Sequence, residues 1–466
     1  MSPQVILLSI PGLREPDLAC MPKLLALMAA GEKAALTASF PAVTWPVQAN
    51  LLTGKLPAEH GVVANGFYWR EQRQVEMWTA WNDKILAPQI WDRLHERDRR
   101  LTSAAWFPML GKGCGADYVC LPAPVHNPDG SEGLWCYTQP SGLYGELRDT
   151  IGHFPLQHFW GPLANIKSTA WIVDSAIQAA TRYRPNFFYI YLPHLEYAAQ
   201  KLGPDSPSAV TALAELDAVI GKLAEGCASA YGGADLLWLA ASEYVITPVR
   251  HVSYPNRVLR ESGLLKVREE TDGEQLDLQA SAAWALVDHQ FSHVFVKDAV
   301  PAVIQRVKEL FRGTAGIEQI LVGDELAHYG LQHPRCGEVV LISTPDSWQA
   351  YSWWLDDARA PGFARTVDIH RKPGYDPIEL FLDPELPLAK LRILKRLLQK
   401  RLGFRMLMDV IPLDASLVKG SHGALPKDRR DWPLVIAGKE SLGAAEFLES
   451  TAVHGLLAAN FGTASE

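Results

Sequence analysis

The sequence predicts an α/β fold, with a mostly parallel sheet flanked by helices and a small α+β lid insertion. Three observations predict it. Short continuous apolar runs alternate with stretches of helical periodicity, which is the pattern of strand–helix–strand units. The apolar runs lack polar alternation, as strands covered on both faces do. Residues 290–345 read strand, helix, strand, strand within a short span. A length of 466 residues fits about three domains of ~150 residues, or one large α/β domain with a lid. The expected division is a core of 1–289 and 346–466, with 67–165 as a loop-rich cover, and a lid of 290–345.

In chain order, residues 5–10 (VILLSI) form a buried strand ended by Pro11-Gly12. A helix is expected over 21–31, with Pro22 early and Gly31 as its stop. Residues 67–165 are rich in Trp, Gly and Pro and weak in periodicity, hence the cover. Residues 186–192 (NFFYIYL) and 235–240 (DLLWLA) are strands. Between them, 207–225 carries Val210, Leu213, Leu216, Val219, Ile220 and Leu223 at helical spacing. The lid pieces are strands at 293–296, 317–322 and 338–343 and a helix over 301–312. Residues 390–405 hold Lys390, Arg392, Lys395, Arg396, Lys400, Arg401 and Arg405 among leucines at helical spacing. The plain expectation is a surface helix whose leucines face the core; a peripheral membrane contact with anionic lipid is the other.

Hydrophobic residues at 48% and charged residues at 21% exclude a disordered chain, a coiled coil and a collagen. A net charge of −8 argues against broad affinity for nucleic acid. Six cysteines without a CxxC pair read as reduced core residues. With no signal-peptide pattern and no ~18-residue apolar span, the expected compartment is the cytoplasm. Nothing in the sequence sets the oligomeric state.

Residues 39–70 (SFPAVTWPVQANLLTGKLPAEHGVVANGFYWR) are the richest in chemistry. Thr44 follows a short β-like run, and Pro46 stands where a helix begins. A hydroxyl there faces unpaired N–H groups and the positive end of the helix dipole, which suits an anion and a phosphoryl-accepting nucleophile. A simple N-cap is the alternative.

Phe40, Pro41, Thr44, Pro46, Leu52, Thr53, Gly54, Pro57, His60, Gly61, Asn65 and Tyr68 resemble the nucleophile block of the nucleotide pyrophosphatase/phosphodiesterase family, within the alkaline phosphatase superfamily. The resemblance continues through 192–197 (LPHLEY), 203–207 (GPDSP) and 420–423 (GSHG). It implies an alkaline phosphatase-like sandwich, with Thr44 as nucleophile, Asn65 as a donor to phosphoryl oxygens and His422 as a metal ligand. The family binds two metal ions through Asp and His. Here Pro11 stands at the first ligand position, Glu196 and Gln200 replace Asp and His in the second block, and Ser242-Glu243-Tyr244 replaces Asp-His-Gly in the third. The combination resembles a divergent bacterial subgroup. Glu196, Gln200, Glu243 and His422 form an oxygen-rich set, which shifts preference from zinc toward Mn²⁺, Mg²⁺ or Ca²⁺, and one or two divalent ions (Zn, Mn or Mg) are expected.

Replacement ligands are sought in Asp288-His289-Gln290 with His293, above all His289. Asp368 and His370 share one face if extended, and His370 and Lys372 are candidate contacts for a substrate phosphate. Structural pairing is the alternative for both groups. His60 is expected to fix the turn after its helix, and His194 to orient a ligand. The function implied is metal-dependent hydrolysis of a small phosphate ester, a diester or pyrophosphate, through Thr44. The alternative is a catalytically degenerate member that binds a phosphorylated ligand or a protein partner.

Overall fold

The continuous apolar runs become the middle of one sheet. The computed structural model describes residues 3–126, 132–386, 391–392, 395–396, 398–399, 408–443 and 445–462. Among them, nine strands form the central sheet. Its order is Phe447–Glu449, Glu32–Thr37, Leu434–Ala437, Leu236–Ala241, Gln4–Ser9, Phe187–Tyr191, Ser103–Trp106, Tyr118–Pro122 and Cys136–Gln139. The five strands from Leu236–Ala241 to Tyr118–Pro122 are parallel. Leu434–Ala437 and Cys136–Gln139 run antiparallel to their neighbours. Every residue of Phe187–Tyr191 is buried, so both faces of the sheet are covered.

Two groups of helices provide the cover. Ile166–Tyr183 and Pro207–Ala230 pack on each other, and Ala452–Asn460 packs on Thr44–Thr53 and Ile90–Arg97. Apolar side chains of both groups share one core with the strands. Pro207–Ala230 begins where its sequence says it should. Ser206 Oγ accepts from Ala209 N at 3.2 Å, and Pro207 fills the first helical position. The helix expected over 21–31 is shorter, Pro22–Leu27, and Gly31 closes a turn on Met28 O.

The loop-rich cover expected over 67–165 is corrected. Ser103–Trp106, Tyr118–Pro122 and Cys136–Gln139 within it are strands of the central sheet. They are only 4 or 5 residues long and lie among Gly, Pro and Trp, too short to show a period.

The smaller sheet has the order Ala283–Asp288, Phe291–Val296, Val339–Ser343, Ile317–Val322 and is antiparallel throughout. Helix Pro301–Phe311 lies between its second and third strands in sequence. This sheet starts before residue 290, because Ala283–Asp288 pairs with Phe291–Val296 through a two-residue turn. Most of 390–405 lies outside the described residues. Arg392 and Arg396 pair with Asp409, while Leu391 and Leu398 are exposed rather than turned to the core. No helix among the described residues is long and apolar enough to cross a membrane.

Ser9 lies level with Tyr191 on one side and Ala241 on the other. The segments that leave these strands therefore emerge together at one edge of the sheet, the usual place for a site in a parallel fold. They carry Pro11, Glu196, Glu243 and Tyr244.

Candidate active site

Thr44 opens the buried helix Thr44–Thr53, after an extended Val43. Its N-terminus offers fewer donors to an anion than the sequence suggests. Trp45 N donates to Asn65 Oδ1 at 3.0 Å, Pro46 has no N–H, and Val47 N bonds back to Val43 O at 3.1 Å. Thr44 Oγ1 lies 2.9 Å from Tyr244 Oη, and Tyr244 donates to Glu196 Oε1 at 2.9 Å. A phenol has one hydrogen, so with that hydrogen on Glu196 the Thr44 hydroxyl is the donor in the first bond. Both Thr44 lone pairs are then left for an electrophile.

Glu196 lies on the helix His194–Leu202, His289 in the turn of the small sheet's first hairpin, and His422 just beyond Gly420–Ser421. One ligand atom from each lies within 4.8 Å of the other two, and all three side chains are buried. His422 Nδ1 donates to Ala42 O at 2.8 Å, since a carbonyl only accepts. His289 Nδ1 bonds Asp288 Oδ1 at 2.5 Å. Burial pushes the Asp288 carboxyl up to about 6, which leaves it ionised at neutral pH, where it also accepts Asn65 N and Asn65 Nδ2. Burial, and then the charge of His422, holds the His289 imidazole well below its ordinary range, so it is neutral. The Nε2 atoms of both imidazoles are buried and have no hydrogen-bond partner. His422 Nε2 lies 3.5 Å from Glu196 Oε1. Two orphaned lone pairs, each with its tautomer set at the other nitrogen, beside a carboxylate, fit a divalent cation.

The rings are held by stacking. Tyr244 lies on His422 at 3.7 Å and 5°, and Tyr375 lies on His289 at 3.6 Å and 16°. Gly423 makes the approach possible: its φ is +118°, and a Cβ there would meet Gln290 N at 3.1 Å and His289 Cβ at 3.4 Å. Gln290 N in turn bonds His422 O at 2.9 Å.

Other expected ligands are turned elsewhere. Both polar atoms of Gln200 have protein partners, its Nε2 donating to Glu196 Oε1 at 2.9 Å and its Oε1 accepting from Tyr375 Oη at 2.5 Å. Glu243 Oε1 accepts from Ser9 Oγ at 2.7 Å and Gln48 Nε2 at 2.8 Å. Burial pushes its carboxyl up to about 8, so it is largely neutral at pH 7. Neither belongs to the ligand group.

The loop readings are corrected. Lys372 is buried, with Nζ 2.7 Å from both Asp376 and Glu379, so it neutralises carboxylates of its own loop rather than meeting a phosphate. His370 is exposed and its Nδ1 bonds Met77 O at 3.3 Å. His194 Nε2 pairs with Glu215 at 2.7 Å and orients no ligand. His293 is structural, bonding Val63 O at 3.0 Å. His60 accepts from Val62 N at 3.0 Å, which fixes the turn after its helix. Sequence reasoning missed Tyr244 and Tyr375 as members of the site. The sole signal for Tyr244 was its place in the altered third block.

The chain is similar to murine ectonucleotide pyrophosphatase / phosphodiesterase 5, with a TM-score of 0.59 and 14% identity over 99% of this chain and 96% of that one. It is also similar to phosphonoacetate hydrolase from Sinorhizobium meliloti 1021 in complex with phosphonoformate, with a TM-score of 0.61 and 15% identity over 98% and 96% of the two chains. At such identities the likeness is one of fold, the alkaline phosphatase-like α/β sandwich. An uncharacterized pyrophosphatase/phosphodiesterase of Schizosaccharomyces pombe is 23% identical over 199 residues, or 41% of this chain. The matched stretch spans 33% of that relative's length. The profile of the type I phosphodiesterase / nucleotide pyrophosphatase family matches residues 5–376, so the chain belongs to that family.

Proposed function

We propose that the chain hydrolyses a small phosphate ester, a diester or a pyrophosphate, with Thr44 as nucleophile and a divalent metal ion as cofactor. The observation that carries this reading is the bond chain from Thr44 Oγ1 through Tyr244 to Glu196, beside two imidazoles with open Nε2 atoms. Glu196, His289 and His422 would hold the ion. Two imidazoles and one carboxylate move the donor set from the oxygen-rich one expected toward zinc or manganese. When bound, the ion supplies positive charge for the non-bridging phosphoryl oxygens.

Thr44 Oγ1 attacks phosphorus as the leaving oxygen departs, which gives a phosphorylated threonine that still carries the substrate's remaining ester group and that water then cleaves. The Thr44 proton passes to Tyr244 Oη as the phenol's own hydrogen passes to Glu196 Oε1. Asn65 Nδ2 keeps a second N–H beyond the one given to Asp288, and this is the donor proposed for a phosphoryl oxygen. The helix dipole at Thr44 adds to the same charge balance.

The test is hydrolysis of bis(4-nitrophenyl) phosphate by the full chain supplied with Zn²⁺ or Mn²⁺. Turnover is expected, with loss on chelation and a fall of about 10³-fold or more in Thr44→Ala. Failure to cleave any phosphodiester or pyrophosphate, with the ion loaded, would favour the degenerate binding protein.

A further inference from the structure

Building on the hydrolase reading above, we infer that this centre takes one divalent ion, and that the Tyr244 phenol rather than a second ion holds the Thr44 hydroxyl. Among the described residues, a single group of His, Cys, Asp and Glu side chains brings three ligand atoms together, namely Glu196, His289 and His422. The hydrogen-bond partner of Thr44 Oγ1 is Tyr244 Oη at 2.9 Å. Tyr244 is fully buried, stacked on His422 and anchored to Glu196, so its oxygen is fixed in three ways.

Among the described residues, nothing beside Thr44 offers an ion a second set of donors. Pro11 has no ligand atom. Ser242 Oγ donates to Tyr244 O at 3.1 Å. Glu243 Oε1 is engaged by Ser9 and Gln48, and only its Oε2 is open, one oxygen atom where an ion needs a set. The phenol therefore does by hydrogen bonding what a cation would do by charge: it orients the nucleophile and leaves its lone pairs free. Tyr244 thus orients the Thr44 hydroxyl as well as carrying its proton away.

The experiment is equilibrium dialysis of the chelator-stripped full chain against Zn²⁺ or Mn²⁺ alone, with elemental analysis of the bound metal. One ion per chain is expected in the wild type, and none in His289→Ala or His422→Ala. Tyr244→Phe is expected to keep its one ion while kcat falls about tenfold to hundredfold and KM stays within about twofold, the loss of one hydrogen bond at the reacting oxygen. Two ions per wild-type chain with turnover would overturn this inference and leave the hydrolase reading intact. Loss of the ion in Tyr244→Phe, or an unchanged kcat, would overturn it too. A wild type that binds no ion and turns nothing over would overturn the hydrolase reading itself. The wild-type stoichiometry decides the matter even where a variant fails to fold.

Discussion

Glu196 and Glu243 are two buried carboxyls of one site region, and they are built for opposite tasks. Glu196 receives Tyr244 Oη and Gln200 Nε2 and faces the open Nε2 of His422. Glu243 receives a hydroxyl and an amide, has no basic partner, and is pushed up to about 8 by burial. The imidazoles decide the difference. A carboxyl beside two imidazoles with open Nε2 atoms can share a cation, whereas a carboxyl among uncharged donors keeps its proton.

The sharpest way to break this comparison is Asp288→Asn. Asp288 sets the His289 tautomer, so its loss should weaken the ion's binding about 10- to 100-fold, while the Glu243 side is untouched. Metal titration followed by competition with a chelator measures this. The next effect is structural. Gly423→Ala puts a Cβ at φ +118° against the turn of His289, and should cost roughly 1–3 kcal/mol in urea denaturation. An unchanged midpoint would show that the two histidine segments tolerate separation.

The smallest effect belongs to Glu243. Its carboxyl rises from an ordinary 4.5 to about 8 in the folded chain. Between those values only the folded chain holds the proton, so the stability it lends is complete below about pH 4.5 and is lost as pH rises through about 8. Glu243→Gln should remove that decline and leave ion content alone. Urea midpoints at about pH 6 and about pH 8.5 for both proteins test it; parallel declines would mean that Glu243 is ionised throughout.

Much of this was legible in the sequence, and the failures have physical causes. The strands Gln4–Ser9, Phe187–Tyr191 and Leu236–Ala241 showed as continuous apolar runs because both their faces are covered. Ala283–Asp288 did not, since its hairpin turn holds only His289 and Gln290 and the expected boundary fell inside it. Thr44, Asn65, Glu196 and His422 came from a long motif match, and His289 from a cluster of polar residues. Tyr244 and Tyr375 did not emerge, because no spacing rule distinguishes a phenol that bonds a nucleophile from one that fills a core. Lys372 misled for the opposite reason: an ammonium in a loop reads the same whether it faces a phosphate or, as here, two carboxylates of its own segment.

The central claim is that Thr44 accepts the phosphoryl group. The most direct measurement is peptide mass spectrometry of the metal-loaded chain, acid-quenched during turnover of bis(4-nitrophenyl) phosphate. The account predicts a 4-nitrophenyl phosphoryl adduct on Thr44 of the wild type and none in Thr44→Ala. An adduct on any other side chain, or turnover at the wild-type rate by Thr44→Ala, would contradict it.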